Sequence, residues 1–126
     1  MTDELDNTAA YAPPNGLSLL TRVVDDVVIV TVADAVDANT APELGAAIDQ
    51  ALDSAPPALV VDLTAVTFLA SAGMTVLMKG REQAGSAVGF AVVADGPATA
   101  RPLRVLGLDD ELALCATLDE ALRRLT

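Results

Sequence analysis

The sequence predicts an α/β fold, with a single-layer mixed β-sheet of about five strands and about four helices packed against it. Two observations support this prediction. Runs rich in strand-forming residues alternate with helical runs of ten or so residues, and the apolar run at residues 58–63 is typical of a strand buried on both faces. A chain of 126 residues with 52% hydrophobic content can form one packed core. We therefore expect one domain.

The N-terminal segment, residues 1–16, is predicted to be a flexible tail, and residues 17–126 are predicted to be the folded domain. The tail is acidic and then contains Pro13 and Pro14, with few apolar side chains. It lacks the basic start and apolar run of a signal peptide. No stretch reaches the roughly 18 uninterrupted apolar residues that a membrane span needs. A cytoplasmic location is therefore expected.

The folded domain is predicted to begin with a β-hairpin. Two strand-like runs, residues 17–24 and 27–32, lie on either side of Asp25 and Asp26. A two-residue polar turn between such runs is a hairpin signal. Because hairpin strands are antiparallel, the sheet is expected to be mixed.

A helix is predicted to follow the hairpin. Thr40 can cap its first turn, Pro42 fits the first turn, and Glu43 complements the positive end of the helix dipole. Apolar residues then recur at helical spacing until Pro56 and Pro57 end the run. This pattern predicts one amphipathic helix.

The rest of the chain continues the alternation of strands and helices. The apolar run after the prolines is expected to be the central strand, and Gly85 is a natural end for the helix that follows the next turn. The predicted elements are a strand at residues 58–63, a turn at 64–71, a helix at 73–84, a strand at 88–94, helices at 98–106 and 118–125, and a short apolar piece at 112–115.

The composition excludes several classes of function. Seven basic against 18 acidic residues give a net charge of −11, which opposes binding to nucleic acid or to anionic lipid. The chain has no His and a single Cys, so a zinc site, a disulfide and a catalytic triad are not expected. We therefore predict a protein that is not an enzyme and that has no cofactor and no metal.

Ser71 is the strongest candidate for a functional residue. It is predicted to lie at or next to the N-cap of the helix at residues 73–84, where a serine most often accepts a backbone N–H bond and contributes about 1 kcal/mol. A phosphate on its hydroxyl would face unpaired N–H groups and the positive end of the helix dipole. Ala72 and Gly73 leave space around it. We favour Ser71 over the nearby hydroxyls of Thr64, Thr67 and Thr75.

Taken together, these features resemble the STAS domain family. The resemblance is carried by Asp62-Leu63-Thr64 and by the turn from Phe68 to Met74, which is similar to the family's serine turn. It is supported by the entry to the first helix at residues 36–44 and by Val105-Leu106-Gly107-Leu108. The resemblance covers nearly all of the predicted domain.

The resemblance implies an anti-sigma-factor antagonist that is switched by phosphorylation of Ser71. In stand-alone bacterial members, a kinase-type anti-sigma factor phosphorylates the matching serine and a serine phosphatase reverses this. The unmodified antagonist binds the anti-sigma factor and releases the sigma factor. The partner-binding residues implied here are Asp37, Thr40, Thr64, Leu69, Ala70, Ser71, Ala72, Gly73, Met74 and Thr75.

One position departs from the family pattern, because Ala70 stands where the family usually has Asp. Two alternatives follow: Ser71 is phosphorylated poorly, or the protein binds its partners without a phosphoswitch. Two further functions remain open, a small-ligand or nucleotide sensor and an adaptor subunit of a larger complex. For Asp62, at the end of the predicted central strand, we favour a structural role over ligand binding.

Overall fold

The computed structural model describes residues 8–11 and 17–125. They form one six-stranded sheet and four helices, which confirms the α/β class and the mixed sheet. The elements are β1 (Thr8–Tyr11), β2 (Ser18–Val24), β3 (Val27–Val36), α1 (Ala41–Asp53), β4 (Ala58–Leu69), α2 (Ser71–Ala84), β5 (Gly89–Val93), α3 (Ala100–Val105), β6 (Leu114–Cys115) and α4 (Leu118–Leu125).

The strands lie in the sheet in the order in which they occur along the chain, β1-β2-β3-β4-β5-β6. The pairs β1–β2 and β2–β3 are antiparallel, and the three pairs from β3 to β6 are parallel. The run at residues 58–63 lies inside β4, which has a parallel neighbour on each side as predicted for a central strand.

Strand β1 lies within the segment predicted to be a flexible tail. It pairs antiparallel with β2, from Thr8 opposite Arg22 to Tyr11 opposite Leu19. The prediction therefore fails for residues 8–11, where backbone pairing along the β2 edge supplies order that so short a segment does not suggest by itself. For residues 1–7 and 12–16, which lie outside the described residues, the tail stays a prediction.

The predicted hairpin is confirmed, and its turn has the geometry that the strand twist requires. Asp25 and Asp26 have φ angles of 51° and 70°. Two successive residues with positive φ define the type I′ turn, whose twist matches that of the flanking strands. Aspartate tolerates this conformation better than most residues because its short polar side chain can bond locally.

Strand β4 is longer than predicted, so the prediction of a turn at residues 64–71 is wrong as far as Leu69. β3 continues to Val36 and holds β4 beside it, with Val36 opposite Leu69. The pairing shifts register between Thr31 and Ala33 and again after Asp34. These irregularities leave buried β4 residues three apart instead of two, which hides the strand from a reading based on alternation.

Both faces of the sheet carry apolar residues. α1 and α2 pack on one face, and the cluster there includes the fully buried side chains Leu44, Ile48, Leu59 and Leu77. α4 packs on the other face, where Ala121 is buried with Ile29 and Val60. β4 is therefore covered on both sides, in accord with its continuous apolar start.

The core on the α1–α2 side predicts a large loss of stability for Leu77→Ala. Leu77 is 0% exposed, so removing its side chain leaves a cavity and is expected to lower the free energy of unfolding by about 2–5 kcal/mol in urea denaturation. Val105→Ala is the control because Val105 is 75% exposed, and its effect is expected to stay within about 0.5 kcal/mol. Equal effects of the two substitutions would contradict the packing described here.

Candidate functional site

The candidate site lies where the parallel strands β3 and β4 end side by side. Val36 and Leu69 are paired at these ends, and the Ala70 N–H donates a hydrogen bond to the Val36 carbonyl over 2.8 Å. The loop that follows β3 is therefore held against residues 70–72, which we call the serine turn. This bond brings Asp37 and Ser71 to the same edge of the sheet.

Ser71 is the first residue of α2 and is not its cap. The capping position is Ala70, with extended backbone angles of −81° and 167°, and the N–H groups of Gly73 and Met74 both donate to its carbonyl at 2.9 and 3.2 Å. Within the part of the chain described here, the exposed Ser71 hydroxyl makes no hydrogen bond. The hydroxyl is therefore free of hydrogen bonds. It lies in the first turn of α2, where the N–H groups of Ser71 and Ala72 have no helical carbonyl to which they could donate.

The loop after β3 is organised around the Asp37 carboxylate. Its Oδ1 atom accepts hydrogen bonds from the Asn39 N–H at 2.9 Å and the Thr40 N–H at 3.0 Å, and it lies 3.1 Å from Thr40 Oγ1. The Thr40 N–H is the main cause that holds the pKa of Asp37 below its ordinary value. Desolvation, the second-largest effect, opposes it, and the Thr40 hydroxyl and the Asn39 N–H add smaller lowering effects. Asp37 therefore stays negatively charged at neutral pH.

Thr40 is at the capping position of α1, but its side chain does not make the predicted cap. Its hydroxyl has one proton, which the Ala35 carbonyl at 3.0 Å and Asp37 Oδ1 at 3.1 Å are both placed to accept, and its oxygen accepts the Asp37 N–H at 2.9 Å. Thr40 is 7% exposed. It therefore ties the end of β3 to the start of α1 from inside the loop.

Substituting Asp37 gives a prediction with a defined pH dependence. Since the pKa of Asp37 is lower in the folded protein than its ordinary value of 3.8, its contribution to stability is present above pH 3.8 and is lost as the pH falls through the folded value. Asp37→Asn is therefore expected to lower the urea midpoint at pH 7 and to differ less from the wild type near pH 3. Asp95→Asn, at an exposed loop position, is the control. A pH-independent difference would contradict this account.

Three of the predicted partner-binding residues lie beneath the serine turn. Leu69 is 4% exposed, Met74 is 8% exposed, and Gly73 is buried. A Cβ atom on Gly73 would come within 2.7 Å of both Leu69 Cδ1 and Val36 Cγ1. These residues set the position of the turn and do not face solvent.

The remaining predicted residues fall into two groups. Ala70 and Ala72 are half-buried, while Thr75 is exposed one helical turn after Ser71 and its hydroxyl donates to the Ser71 carbonyl at 3.1 Å. Thr64 lies five residues before Leu69 along an extended strand, a separation of about 16 Å. The structure therefore does not bring Thr64 together with Ser71.

Thr64 instead bonds to Asp62, whose structural role was favoured on sequence grounds. Oδ1 of Asp62 accepts the Thr64 hydroxyl at 2.8 Å and the Thr64 N–H at 3.0 Å. Asp62 is 8% exposed. The Asp62 carboxylate therefore bonds to a residue of its own strand, β4, in accord with a structural role.

Phe68 adjoins the site, although the sequence analysis used it only as part of the family resemblance and did not predict it as a site residue. It is 54% exposed near the end of β4, three residues before Ser71. Large exposed apolar side chains are informative when they adjoin a candidate contact surface. The available signal was the rarity of aromatic residues, only 2% of the chain.

Comparisons with known proteins identify the family of the chain. A family model described as the STAS domain matches residues 18–121. The chain belongs to the STAS domain family.

Among its relatives, the chain is 37% identical over 109 residues to a Mycobacterium tuberculosis protein named anti-sigma-F factor antagonist RsfB, covering 86% of this chain and 89% of that protein. It also resembles the crystal structure of an anti-sigma factor antagonist from Mycobacterium paratuberculosis, at 43% identity and a TM-score of 0.84, covering 91% and 98% of the two chains. The unphosphorylated anti-sigma factor antagonist SpoIIAA, at 17% identity and a TM-score of 0.68 over 86% of this chain and 95% of that one, shares the fold.

The part of the chain that the structure describes contains neither a membrane-spanning helix nor a metal-binding cluster. None of its helices is long and apolar enough to cross a membrane. Within the same residues, no three His, Cys, Asp or Glu side chains form a group that could hold a metal ion.

Proposed function

We propose that this protein is an anti-sigma-factor antagonist that binds a kinase-type anti-sigma factor, releases the sigma factor and is switched by phosphorylation of Ser71. The observation that carries the proposal is the exposed, unbonded hydroxyl on the first residue of α2. The relatives named as anti-sigma factor antagonists support it. In this role the protein is a cytoplasmic regulator and not an enzyme.

In the unmodified protein, the contact surface is formed by the exposed and half-buried members of the site. These are Asp37, Ala70, Ser71, Ala72 and Thr75. The small side chains around Ser71 allow the backbone of a partner to approach closely. The buried residues Thr40, Leu69, Gly73 and Met74 act indirectly by fixing the position of this surface.

Phosphorylation changes the charge at the centre of this surface. The Ser71 Oγ atom forms a bond to the γ-phosphorus of ATP held by the anti-sigma factor, the bond to the ADP oxygen breaks, and the hydroxyl proton passes to a base. The phosphate adds about −1.5 to −2 charges at pH 7. At the edge of the sheet that also carries the ionised Asp37, this charge opposes the docking of a partner surface that fits the bare hydroxyl, because the phosphate must be desolvated or must meet like charge on the partner. A serine phosphatase restores the binding form by hydrolysis.

Ala70 bears on how the phosphate is transferred. The serine turn has no carboxylate of its own, since the residue before Ser71 is Ala70. We expect the base that accepts the hydroxyl proton to come from the kinase. The same observation favours a second candidate function, an adaptor subunit that binds one partner constitutively.

Phosphosite mapping separates the two candidates. The protein is incubated with ATP and each kinase-type anti-sigma factor from its own genome, and intact mass and fragment spectra are recorded. We expect one phosphate, located on Ser71, and no phosphate on Ser71→Ala. Binding of an anti-sigma factor without any phosphorylation would favour the adaptor, and phosphate on another residue would contradict the assignment of Ser71.

A further inference from the structure

Resting on this proposed function, we propose that the docking surface extends from the serine turn along α2 and that a groove between α1 and α2 receives an aliphatic side chain of the anti-sigma factor. The occupant is a partner helix that carries this side chain next to a carboxylate, which pairs with Lys79. The proposal rests on the shape of the groove, on one glycine and on the position of Lys79.

The groove has an apolar floor and a polar rim. Gly45, Ile48, Val76 and Gly80 form the floor between the two helices, and the rim is formed by Pro42, Asp49, Lys79 and Gln83. Its volume is about 180 Å³. An engineered apolar cavity of about 150 Å³ binds benzene, so this groove can hold the end of one aliphatic side chain. The floor offers no side-chain donor to a phosphate or sugar.

Two glycines line the groove, and packing explains only one of them. A Cβ atom on Gly80 would lie 2.9 Å from Ile48 Cγ2, so Gly80 allows α1 and α2 to approach each other. A Cβ atom on Gly45 would lie 3.6 Å from Val76 Cγ1, an ordinary contact.

Glycine inside a helix is less stable than alanine, and Gly45 does not have a positive φ that would require it. A side chain at position 45 would instead fill part of the open space of the groove.

The groove continues the surface that starts at Ser71. Thr75 and Lys79 follow Ser71 at intervals of four residues and lie on the same side of α2. Val76, on the groove floor, is likewise four residues after Ala72 of the serine turn. A partner helix that contacts Ser71 and lies along α2 would therefore pass over the groove.

Lys79 gives the surface its charge preference. It is the only lysine of the chain, it is exposed, and within residues 17–125 it forms no hydrogen bond or ion pair. The other charged residue of the rim is Asp49, so the rim is cationic only on the α2 side, where Lys79 complements a partner carboxylate.

The test compares two leucine substitutions on α1. Gly45→Leu fills the groove, whereas Ala46→Leu adds similar bulk at the adjacent exposed position, which does not line it. With the anti-sigma factor that binds the wild type, calorimetry is expected to show at least a tenfold increase in Kd for Gly45→Leu and less than a twofold change for Ala46→Leu. Circular dichroism and melting temperature confirm that both variants are folded.

Two further variants keep the proposal open to contradiction. Gly45→Ala is expected to raise the melting temperature by about 2–4 °C and to weaken binding about threefold. Because this variant is more stable than the wild type, its weaker binding could not be caused by unfolding. Lys79→Glu is expected to raise Kd about tenfold, with Arg101→Glu, at an exposed position on α3, as its control.

Three results would overturn the proposal. Wild-type affinity in Gly45→Leu would remove the groove from the interface and leave the proposed function intact. A dimer in sedimentation experiments that Gly45→Leu dissociates would assign the groove to a second copy of the chain. Failure of the wild type to bind any kinase-type anti-sigma factor would remove the proposed function together with this extension of it.

Discussion

Ser71→Glu is expected to raise the Kd for the anti-sigma factor by about 100-fold or more, while Ser71→Ala keeps most of the affinity. The glutamate places a negative charge where, in the proposed complex, the unmodified hydroxyl would meet the partner, and juxtaposed like charges or a desolvated carboxylate cost several kcal/mol at an interface. Alanine removes only a hydroxyl that has no hydrogen bond within the described residues. The measurement is titration calorimetry with each variant.

The same substitution is expected to leave the fold intact and to stabilise it slightly. A carboxylate in the first turn of α2 interacts favourably with the helix dipole, by about 0.3–1 kcal/mol. Ser86→Glu is the matched control, because Ser86 is an exposed serine beyond the other end of α2. Equal binding by Ser71→Glu and the wild type would remove the serine turn from the interface.

Gly73→Ala is expected to lower the free energy of unfolding by about 1–3 kcal/mol. The new methyl group would lie 2.7 Å from Leu69 Cδ1 and from Val36 Cγ1. The leucine end can rotate, but the β-branched Val36 is fully buried and has little freedom. The helix-propensity gain of alanine over glycine, up to about 1 kcal/mol, is smaller than this overpacking cost. Urea denaturation measures the effect.

Gly45→Ala is the matched control for this prediction, since it makes the same chemical change in the neighbouring helix. Its new methyl group meets Val76 at an ordinary distance of 3.6 Å, so only the helix-propensity gain remains and the stability is expected to rise. Gly73→Ala is also expected to weaken partner binding, because Gly73 supports the turn that carries Ser71. Stabilisation by both substitutions would contradict the close packing at Gly73.

Local signals predicted most of the fold. The Asp25-Asp26 turn marked the hairpin, and Pro42 and the prolines after α1 marked both ends of that helix. The sequence did not reveal the second half of β4, because its strand character depends on β3 lying alongside it through two register shifts. β1 was missed for a similar reason, since pairing with β2 cannot be read from residues 8–11 alone.

The site was predicted as a set of neighbours in sequence, and the structure separates their roles. Ser71 was expected at or next to the cap, and the extended backbone of Ala70 places it on the first helical residue. Thr40 was expected to cap α1, but its hydroxyl is used to close the loop around Asp37. The Ser71 hydroxyl faces solvent and the Thr40 hydroxyl is buried because of how the ends of β3 and β4 meet. Neither chain segment alone determines that arrangement.

The sequential order of the strands also affects how the protein is made. Each strand of the described sheet after β1 pairs with the strand synthesised just before it, so no strand must wait for a distant partner to leave the ribosome. Ser71 and the elements that hold it, β3, β4 and α2, are all translated before residue 85. The end of the molecule that carries Ser71 can therefore begin to assemble while β5, β6 and α4 are still emerging.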